Sequence, residues 1–373
     1  MMSSVETAHQ HVGAWGLALV ALGWGCSSSA ADPAPPLAPA TVAETDVFVG
    51  GQEGYPTYRI PSVIETASGA LLAFAEGRQN LADTGDIDLV MKRSLDGGAT
   101  WSKLSVVIDQ GGDVAGNPSP VVDRATGAIL LLFDTNPAGD PNARRVLVTR
   151  SADEGATWST PIDLTADVKP STWTFYAVGP GRGIQLRDGR FVVACDHHDA
   201  ATGESRSHVI YSDDGVAWHL GGSLAPDTDE SQVAELDDGS LVINARDLSS
   251  AHLRAVARSV DRGLTWSDTT RDPALRDPSC EGSLLATPHG LVFSNPDSTV
   301  YLERKLLTVR VSRDGGRSWA ASRVLHAGPA AYSALAQVGA DDLGCLYEHG
   351  EKLAFAPYER ITFARFAARW IGE

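Results

Sequence analysis

Short apolar runs separated by turns rich in glycine, aspartate and serine fill the chain from about residue 46 onward, and long runs with helical spacing are scarce. Examples are DLVMKR, RVLVTR, RSHVIY, LRAVAR and LLTVRV. Short runs of this kind, bounded by turn-forming residues, are typical of β-strands. The pattern therefore predicts an all-β protein.

An eight-residue sequence follows each of these five runs. Four copies match S-x-D-x-G-x-[ST]-W, at residues 94–101, 151–158, 259–266 and 312–319. The weaker copy YSDDGVAW, at residues 211–218, is aligned on Asp213, with Tyr211 at the serine position and Ala217 at the threonine position. Aspartate, serine and glycine favour turns, and the tryptophan can pack the turn onto apolar neighbours. Each copy, called a box below, is therefore predicted to be a hairpin turn with a structural role.

The boxes recur every 50 to 60 residues or so. A repeat of that length indicates a repeat architecture, and the chain after about residue 45 has room for roughly six units. We therefore expect a six-bladed β-propeller of four-stranded antiparallel blades, formed by a single domain over residues 46–373.

The first 31 residues have the features of an export signal. The apolar run from Trp15 to Trp24 is too short to span a bilayer comfortably, and small residues follow it. Cleavage near Ala30 and lipid attachment at Cys26 are both compatible with this pattern. Residues 32–45 are rich in proline and alanine and are interpreted as a linker. The expected location is outside the cytoplasm, as a secreted, periplasmic or lipid-anchored protein.

The net charge of −17 argues against nucleic acid or an anionic membrane surface as a partner. Membrane contact is expected only through a lipid at Cys26, and a monomer is expected. The neighbours His197 and His198 would face opposite sides of a strand, so we interpret them as structural. No metal or other cofactor is predicted, because no spacing typical of metal ligands occurs. Cysteines after the signal are predicted to be buried as small apolar residues: Cys195, Cys280 and Cys345.

Two stretches upstream of the first box carry candidate chemistry. In Tyr58-Arg59-Ile60-Pro61 the arginine points inward if its strand is an inner one, and otherwise lies on the surface. The loop before the first box holds three carboxylates, Asp83, Asp86 and Asp88, which are compatible with a functional group or with a solvated loop.

A Y-R-I-P sequence upstream of several S-x-D-x-G-x-T-W boxes resembles the exo-α-sialidases, retaining glycoside hydrolases that release terminal sialic acid. The resemblance extends from about residue 46 to the C-terminus and implies a six-bladed propeller. It also implies sialylated glycoproteins, glycolipids and oligosaccharides as substrates. Glycosidases of this family use a tyrosine nucleophile in place of a carboxylate.

The resemblance carries over onto individual positions. It implies catalytic roles for an acid/base, its partner carboxylate and the nucleophile, matched by Asp83, Glu230 and Tyr332. It implies substrate binding, directly or by bracing, for Arg59, Arg78, Arg246, Arg304 and Glu348. Asp86 and Asp88 compete with Asp83, Glu235 is a weaker alternative to Glu230, and Arg310 is expected to be an ordinary strand residue. One departure is Glu281, in DPSCEGS, where family members often have glutamine; we expect it to lie away from the chemistry, with a possible effect on substrate preference.

Three functions remain open from the sequence. The first is a retaining exo-α-sialidase, the second a trans-sialidase that transfers to a sugar, and the third a non-catalytic propeller that binds glycans. The presence of tyrosine and glutamate together with three arginines favours an enzyme, because a binding module has no need of the first two.

Overall fold

The computed structural model describes residues 41–351 and 358–372, and the regular secondary structure of these residues is almost entirely β-strand, which confirms the all-β prediction. The strands begin with β1 (Val42–Val49), β2 (Thr57–Glu65), β3 (Leu71–Arg78), β4 (Ile87–Ser94), β5 (Ser105–Ile108), β6 (Val114–Val122), β7 (Ile129–Asn136), β8 (Arg145–Ser151), β9 (Ile162–Asp163), β10 (Trp173–Val178), β11 (Ile184–Gln185) and β12 (Phe191–Asp199). They continue with β13 (Ser205–Ser212), β14 (His219–Ser223), β15 (Thr228–Glu235), β16 (Leu241–Asp247), β17 (Leu253–Ser259), β18 (Thr270–Arg276), β19 (Ser283–Thr287), β20 (Gly290–Pro296), β21 (Lys305–Ser312), β22 (Ala321–Val338), β23 (Asp342–His349) and β24 (Arg360–Ala367).

Helices are short and few in this part of the chain. They are α1 (Thr165–Val168) and two 3-10 helices, Pro141–Ala143 and Ala368–Gly372. None of these described helices has the length and apolar character needed to cross a membrane. The predicted export signal lies outside the described residues.

The strands form four hydrogen-bonded sheets, of eight, five, four and seven strands. Their antiparallel pairs divide them into six consecutive sets, and one parallel bridge, from Ile87 of β4 to Val114 of β6, connects the first two sets. The first four sets are β2–β5, β6–β9, β10–β14 and β15–β18, with β10 and β11 both pairing with β12. The long strand β22 belongs to two sets, because its first half pairs with β21 and its second half pairs with β23. The fifth set is therefore β19, β20, β21 and the first half of β22. The sixth set contains the rest of β22, β23, β24 and the N-terminal strand β1.

Strand β1 corrects the predicted boundary between linker and domain. It begins at Val42, which pairs with Phe366, and continues to Val49, which pairs with Arg360. Residues 42–45, interpreted as the end of the linker, therefore belong to the last sheet. A proline-rich stretch before them hid the start of the strand, whose partner lies at the other end of the chain.

Six hydrophobic cores hold consecutive sets together, and the sixth core joins the last set to the first. Pairs of buried residues that share a core across neighbouring sets are Leu72 with Leu131, Leu132 with Val193, Val192 with Val233, Val242 with Phe293, Val309 with Leu343, and Val63 with Leu346. Burial of this apolar surface is the main driving force that joins the sets.

The boxes form the turns between the third and fourth strands of five sets. In the first box the Ser94 hydroxyl donates to Asp96 at 2.8 Å and accepts the amide of Gly98 at 2.9 Å. Asp96 also accepts the amide of Thr100 at 2.9 Å and its hydroxyl at 2.6 Å. The boxes at residues 151–158, 259–266 and 312–319 repeat these four hydrogen bonds. The prediction of structural hairpin turns is confirmed.

The weaker copy has a different alignment from the one predicted. Its serine is Ser212 and its aspartate is Asp214, because Ser212 donates to Asp214 at 3.1 Å and accepts the amide of Gly215 at 2.9 Å. Asp213 instead accepts hydrogen bonds from Arg190 and Arg262. This turn lacks one residue between aspartate and glycine, so an alignment that keeps the full spacing selects the wrong aspartate.

Candidate active site

A pocket of about 520 Å³ is lined by residues at the starts of β2, β6 and β15 and in the second half of β22. Seven of the eight predicted site residues line it: Arg59, Arg78, Asp83, Glu230, Arg246, Arg304 and Tyr332. The eighth, Glu348, is fully buried and contacts Arg59. The pocket volume is in the usual range for a small-molecule site.

Backbone irregularities aim several of these side chains into the pocket. The pairing register shifts between Arg59 and Ser62 in β2, and between Thr228 and Ser231 in β15. It also shifts in β22 between Ala330 and Ser333, on either side of Tyr332. Bulges next to active sites reorient side chains that a regular strand would alternate between its two faces.

The residues of the R-I-P sequence form the bulge in β2. Ile60 has a φ of 56°, a left-handed conformation that is costly for a β-branched residue. Its amide donates to Glu348 Oε1 at 2.8 Å, which anchors the turned backbone. Pro61 follows at the bulge, one of the few places in a sheet where the missing N–H is tolerated.

Glu348 braces Arg59 and Tyr332 together. Its two carboxylate oxygens accept from Arg59 Nε at 3.1 Å and Nη2 at 3.3 Å. It also accepts the amide of Tyr332 at 3.2 Å. This two-point contact fixes the plane of the guanidinium, whose remaining N–H groups are directed at the pocket and at Asp83.

The Tyr332 hydroxyl forms the centre of a short hydrogen-bond chain. It donates to Glu230 Oε1 at 2.5 Å, and Arg246 Nη1 donates to Glu230 Oε2 at 2.8 Å and to the hydroxyl at 3.2 Å. Burial, followed by the charge of Glu230, raises the pKa of Tyr332 well above its ordinary value, while Arg246 opposes this shift. Tyr332 is therefore a neutral phenol with a proton acceptor in contact.

Arg304 is the third guanidinium of the pocket. Its Nη1 donates to the Tyr358 hydroxyl at 2.8 Å, and its Nη2 donates to the carbonyl of Ser279 at 3.1 Å. The guanidinium lies 5.2 Å from the centre of the Tyr332 ring. Arg59 lies 5.0 Å from the same ring, so two cations flank the phenol from its faces.

Two residues of this cluster were not predicted as site residues. The centre of the Tyr358 ring lies 4.0 Å from the Arg59 guanidinium carbon. Ser279 accepts hydrogen bonds from both Arg246 and Arg304. Nothing in the sequence around Tyr358 marks it, because its partners lie far away along the chain. Ser279 belongs to DPSCEGS, the segment that also holds Glu281.

The expectation that DPSCEGS lies away from the chemistry was wrong. Cys280 packs in one small core with Tyr332 and Ile60. Glu281 is buried and accepts the amide of Ser333, the neighbour of Tyr332, at 3.0 Å. The segment therefore forms the wall directly behind the tyrosine. Its contacts arise from strands distant in sequence, which is why local spacing did not reveal them.

Asp83 lies at the mouth of the pocket on a loop after β3. Its Oδ1 accepts from Arg78 Nη1 at 2.7 Å and lies 3.7 Å from Arg59 Nη1, while 71% of its side chain is exposed. Partial desolvation would raise the pKa of Asp83, but the charges of Arg78 and then Arg59 outweigh it and hold the pKa below its usual value. Arg78 is itself fixed by an ion pair with the buried Glu76.

The competing residues lie elsewhere. Asp88 accepts from the Tyr55 hydroxyl at 2.6 Å and does not line the pocket, and neither does Asp86. Glu235 pairs with Arg187 at the other end of its strand. Arg310 binds Asn295 and Asp297 away from the pocket.

The side of the pocket beyond Glu230 is acidic. Asp196 lines it and is fully buried, yet neither of its carboxylate oxygens has a hydrogen-bond partner among the described residues. Burial, followed by the charges of Asp229 and Glu230, raises the pKa of Asp196 well above its ordinary value. The neutral, protonated form of Asp196 is therefore favoured at this side of the pocket.

The histidine pair divides between two environments. His197 is buried and stacks on Trp173 with ring centres 3.4 Å apart, in agreement with a structural role. His198 faces the pocket beside Phe175, so the two neighbours lie on opposite sides of the strand, as predicted. In the described part of the chain, no group of three histidine, cysteine or carboxylate side chains is arranged to hold a metal. The three cysteines in that part are free and buried, as predicted.

Comparisons with known proteins find a matching family model, similar sequences and similar solved structures. Residues 69–345 match the family model described as BNR repeat-like domain. A sialidase from Micromonospora viridifaciens is 34% identical over 91% of this chain, which spans 56% of that relative's length. The solved structure titled Hadza microbial sialidase Hz136 is 31% identical with a TM-score of 0.79, covering 88% of this chain and 69% of that one. A leech intramolecular trans-sialidase has a TM-score of 0.76, covering 89% of this chain and 71% of that one; at 18% identity it is similar in fold alone.

Proposed function

The chain belongs to the sialidase family, and from that premise we propose that it is a retaining exo-α-sialidase built as a six-bladed β-propeller. The six consecutive sets, of which five have four strands and the third has five, and the six cores that join each set to the next and the last to the first, support the propeller. The substrate would be a terminal α-linked sialic acid on a glycoprotein, glycolipid or oligosaccharide.

The carboxylate on the anomeric carbon of sialic acid would bind the three guanidiniums of Arg59, Arg246 and Arg304. Guanidinium remains charged at all relevant pH values and binds carboxylate in a planar fork. Each such hydrogen bond contributes about 1.5–3 kcal/mol. The acidic side of the pocket around Asp196 would accept hydrogen bonds from the hydroxylated part of the sugar.

The observation that carries the proposal is the contact between Tyr332 and Glu230. A carboxylate nucleophile next to the substrate carboxylate would meet a repulsion of about 4 kcal/mol at ~4 Å and an effective dielectric constant near 20. That repulsion corresponds to nearly three orders of magnitude in rate. A neutral phenol avoids it, and the 2.5 Å hydrogen bond gives the phenol proton a direct path to Glu230.

The proposed reaction has two steps. In the first, Tyr332 oxygen forms a bond to the anomeric carbon, its proton passes to Glu230, and Asp83 protonates the departing oxygen. In the second, Asp83 removes a proton from water, the water oxygen replaces Tyr332 oxygen on the anomeric carbon, and Glu230 returns the proton to the tyrosine.

Arg59 links substrate binding to the acid role of Asp83. In the free pocket Arg59 and Arg78 keep Asp83 in its charged form. A substrate carboxylate on Arg59 would neutralise one of these two cations, and the pKa of Asp83 would rise towards the value that a proton donor needs. Arg78 and Glu348 position these groups.

The test is release of a fluorophore from an α-linked aryl sialoside by the wild-type chain and by Tyr332→Phe, with sialic acid binding measured for both. Turnover that falls by about three orders of magnitude in Tyr332→Phe, with binding retained, is the expected result. Turnover equal in the two proteins would refute the nucleophile. Binding without turnover in the wild type would favour a glycan-binding propeller instead.

A further inference from the structure

A second cavity, of about 640 Å³, lies at the opposite ends of the strands that form the pocket. Its lining includes a residue at or next to the end of a strand in each of the six sets: Glu65, Val122, Gln185, Glu235, Thr287 and Gln337. The pocket described above is lined near the starts of β2, β15 and the second half of β22. The two cavities are therefore distinct, and no residue lines both.

The segment 179–183 holds an arginine in this second cavity. The carbonyl of Gly181 accepts from the Ser62 hydroxyl of β2, and the amide of Gly183 donates to the carbonyl of Pro120 in β6 at 3.1 Å. A Cβ at Gly183 would lie 2.3 Å from a methyl group of Val121, so the backbone is tightly packed here. Between these glycines, Arg182 extends its side chain to the cavity wall.

Arg182 has no partner among the described residues. The side chain is partly buried: its Nε is buried and has no hydrogen bond, and no described residue forms an ion pair with its guanidinium. Burial lowers the pKa of Arg182 to about 10, with no carboxylate contributing to the shift, so the group remains a cation at neutral pH. Buried charges in proteins are normally paired or bound to a ligand.

Arg254 shows what a structural arginine looks like in the same protein. It is fully buried and donates to Asn244 Oδ1 at 2.7 Å and to Asp277 Oδ2 at 3.1 Å, and it also donates to the carbonyl of Cys280. Both carboxamide and carboxylate acceptors surround it. Arg182 has no equivalent acceptor among the described residues, although hydrogen bonds hold the glycines on either side of it.

The other charges around the cavity are mostly engaged elsewhere. Arg187 pairs with Glu235 at 3.3 Å, and Arg124 donates to the carbonyl of Leu186. Glu65 accepts the amide of Gly339 at 2.7 Å, and Asp237 lies exposed at the rim. Among the cations that line the cavity, Arg182 is therefore the one whose side chain has neither an ion pair nor a hydrogen bond to the described residues.

Gln337 supplies an unmatched acceptor in the same cavity. Its Nε2 donates to three carbonyls, those of Gly339, Ala340 and Asp342, at 3.1, 3.3 and 3.0 Å. These contacts fix which end of the amide is nitrogen. Its Oε1 is buried and has no donor among the described residues. A ligand that satisfies both groups needs an anionic group and a hydrogen-bond donor.

We propose that this cavity is a second binding site, for a small hydroxy acid of about the size of a sugar acid, whose carboxylate binds Arg182 and whose hydroxyl donates to Gln337. The cavity volume is sufficient for such a molecule. A planar guanidinium fork favours a carboxylate over a halide ion. The inference does not depend on the proposed reaction, because none of its residues lines the other pocket.

The experiment is calorimetric titration of the full chain with three probes: D-gluconate, acetate and sorbitol. Gluconate has both a carboxylate and hydroxyls, whereas acetate lacks the hydroxyls and sorbitol lacks the charge. We expect gluconate to bind best. Its affinity for Arg182→Gln should fall by about tenfold to a hundredfold, and Arg182→Lys should recover part of it.

Two controls keep the outcome interpretable. The Arg182 side chain makes no hydrogen bond to the described residues, so Arg182→Gln should keep the wild-type melting temperature in probe-free buffer and keep turnover of an aryl sialoside. Equal binding of gluconate to wild type and Arg182→Gln, or no binding at all, would overturn the proposal. Binding of acetate as tight as that of gluconate would overturn the role given to Gln337.

Discussion

The box turns and the pocket are both built from hydrogen-bonded polar side chains, but they differ in how far apart the bonded partners lie along the chain. In a box, Asp96 binds Ser94 and Thr100 and every partner lies within four residues. In the pocket, Arg59 binds Glu348 across 289 positions of the chain, and Tyr332 binds Glu230 across 102. The turn carboxylates are fully satisfied at the surface, whereas pocket groups such as Asp196 have unmatched atoms. The short-range hydrogen bonds of a box stabilise its turn, whereas the long-range contacts of the pocket leave polar atoms unpaired that a ligand could bind.

Carboxyl groups of the two regions also differ in the direction of their pKa shifts. Hydrogen bonds from Thr100 and Ser94 lower the pKa of Asp96 to about 2. Burial raises the pKa of Asp134, behind the pocket wall, to about 7 despite the opposing charge of Arg144. The folded state therefore favours the charged form of Asp96 in the turn and the neutral form of Asp134 behind the pocket wall. Changes in the pocket should affect chemistry, and changes in the turns should affect stability.

The largest effect is expected for Asp83→Ala with a natural disaccharide substrate. Loss of the proton donor should reduce kcat/KM by about 10³-fold for a poor leaving group, and far less for an aryl sialoside, whose leaving group needs little protonation. Steady-state kinetics with both substrates measures this ratio. Asp86→Ala is the matched control, and equal losses on the two substrates would exclude Asp83 as the acid.

A smaller effect is expected for Tyr358→Phe. This change removes the hydroxyl that accepts from Arg304 at 2.8 Å but keeps the ring under Arg59. Because the hydroxyl orients a carboxylate-binding group, we expect KM to rise by about tenfold with kcat nearly unchanged. A fall in kcat at constant KM would instead place Tyr358 in the chemical step.

Asp134→Asn tests how much the burial of the Asp134 carboxyl group, behind the pocket wall, lowers the free energy of unfolding at neutral pH. This group titrates near 3.8 in the unfolded chain and near 7 in the folded protein. Between these pH values the folded state holds a proton that the unfolded state has released, so the free energy of unfolding falls as the pH rises. The variant lacks this dependence, so its free energy of unfolding relative to that of the wild type should rise by about 4 kcal/mol between pH 4 and pH 8.

Denaturant unfolding of both proteins at several pH values between 4 and 8 measures this difference. The two stability profiles should diverge as the pH rises. Parallel profiles would mean that Asp134 has an ordinary pKa in the folded protein, and the contrast with the turn carboxylates would fail.

The smallest effect on activity is expected for Asp96→Ala, in the first box. Loss of the turn network should lower the melting temperature while kcat/KM stays within about twofold of the wild type. Because the pKa of Asp96 is lowered on folding, its contribution is present above about pH 4 and is lost as the pH falls towards 2. Asp268→Ala, an exposed aspartate outside the box network, should change neither quantity, and equal effects of the two variants would contradict the structural role.

The difference between short-range and long-range contacts also explains which features could be predicted from the sequence. The boxes were found because each completes its hydrogen bonds within a few residues, and the one misaligned copy failed where a residue is missing between Asp214 and Gly215. The eight site residues came from a family resemblance, not from spacing. The contacts of Ser279 and Tyr358 depend on how distant strands meet, and no short pattern encodes them. Similarly, β1 escaped detection at its first four residues because its partner is β24.

The most direct test of the account is covalent trapping with 2,3-difluorosialic acid. The fluorine at the 3-position destabilises the positively charged transition state, so a glycosyl-enzyme intermediate persists long enough for peptide mapping by mass spectrometry. The account predicts one added sugar on the peptide that contains Tyr332, and none in Tyr332→Phe. An adduct on Glu230, on Asp83 or on any other residue would contradict it.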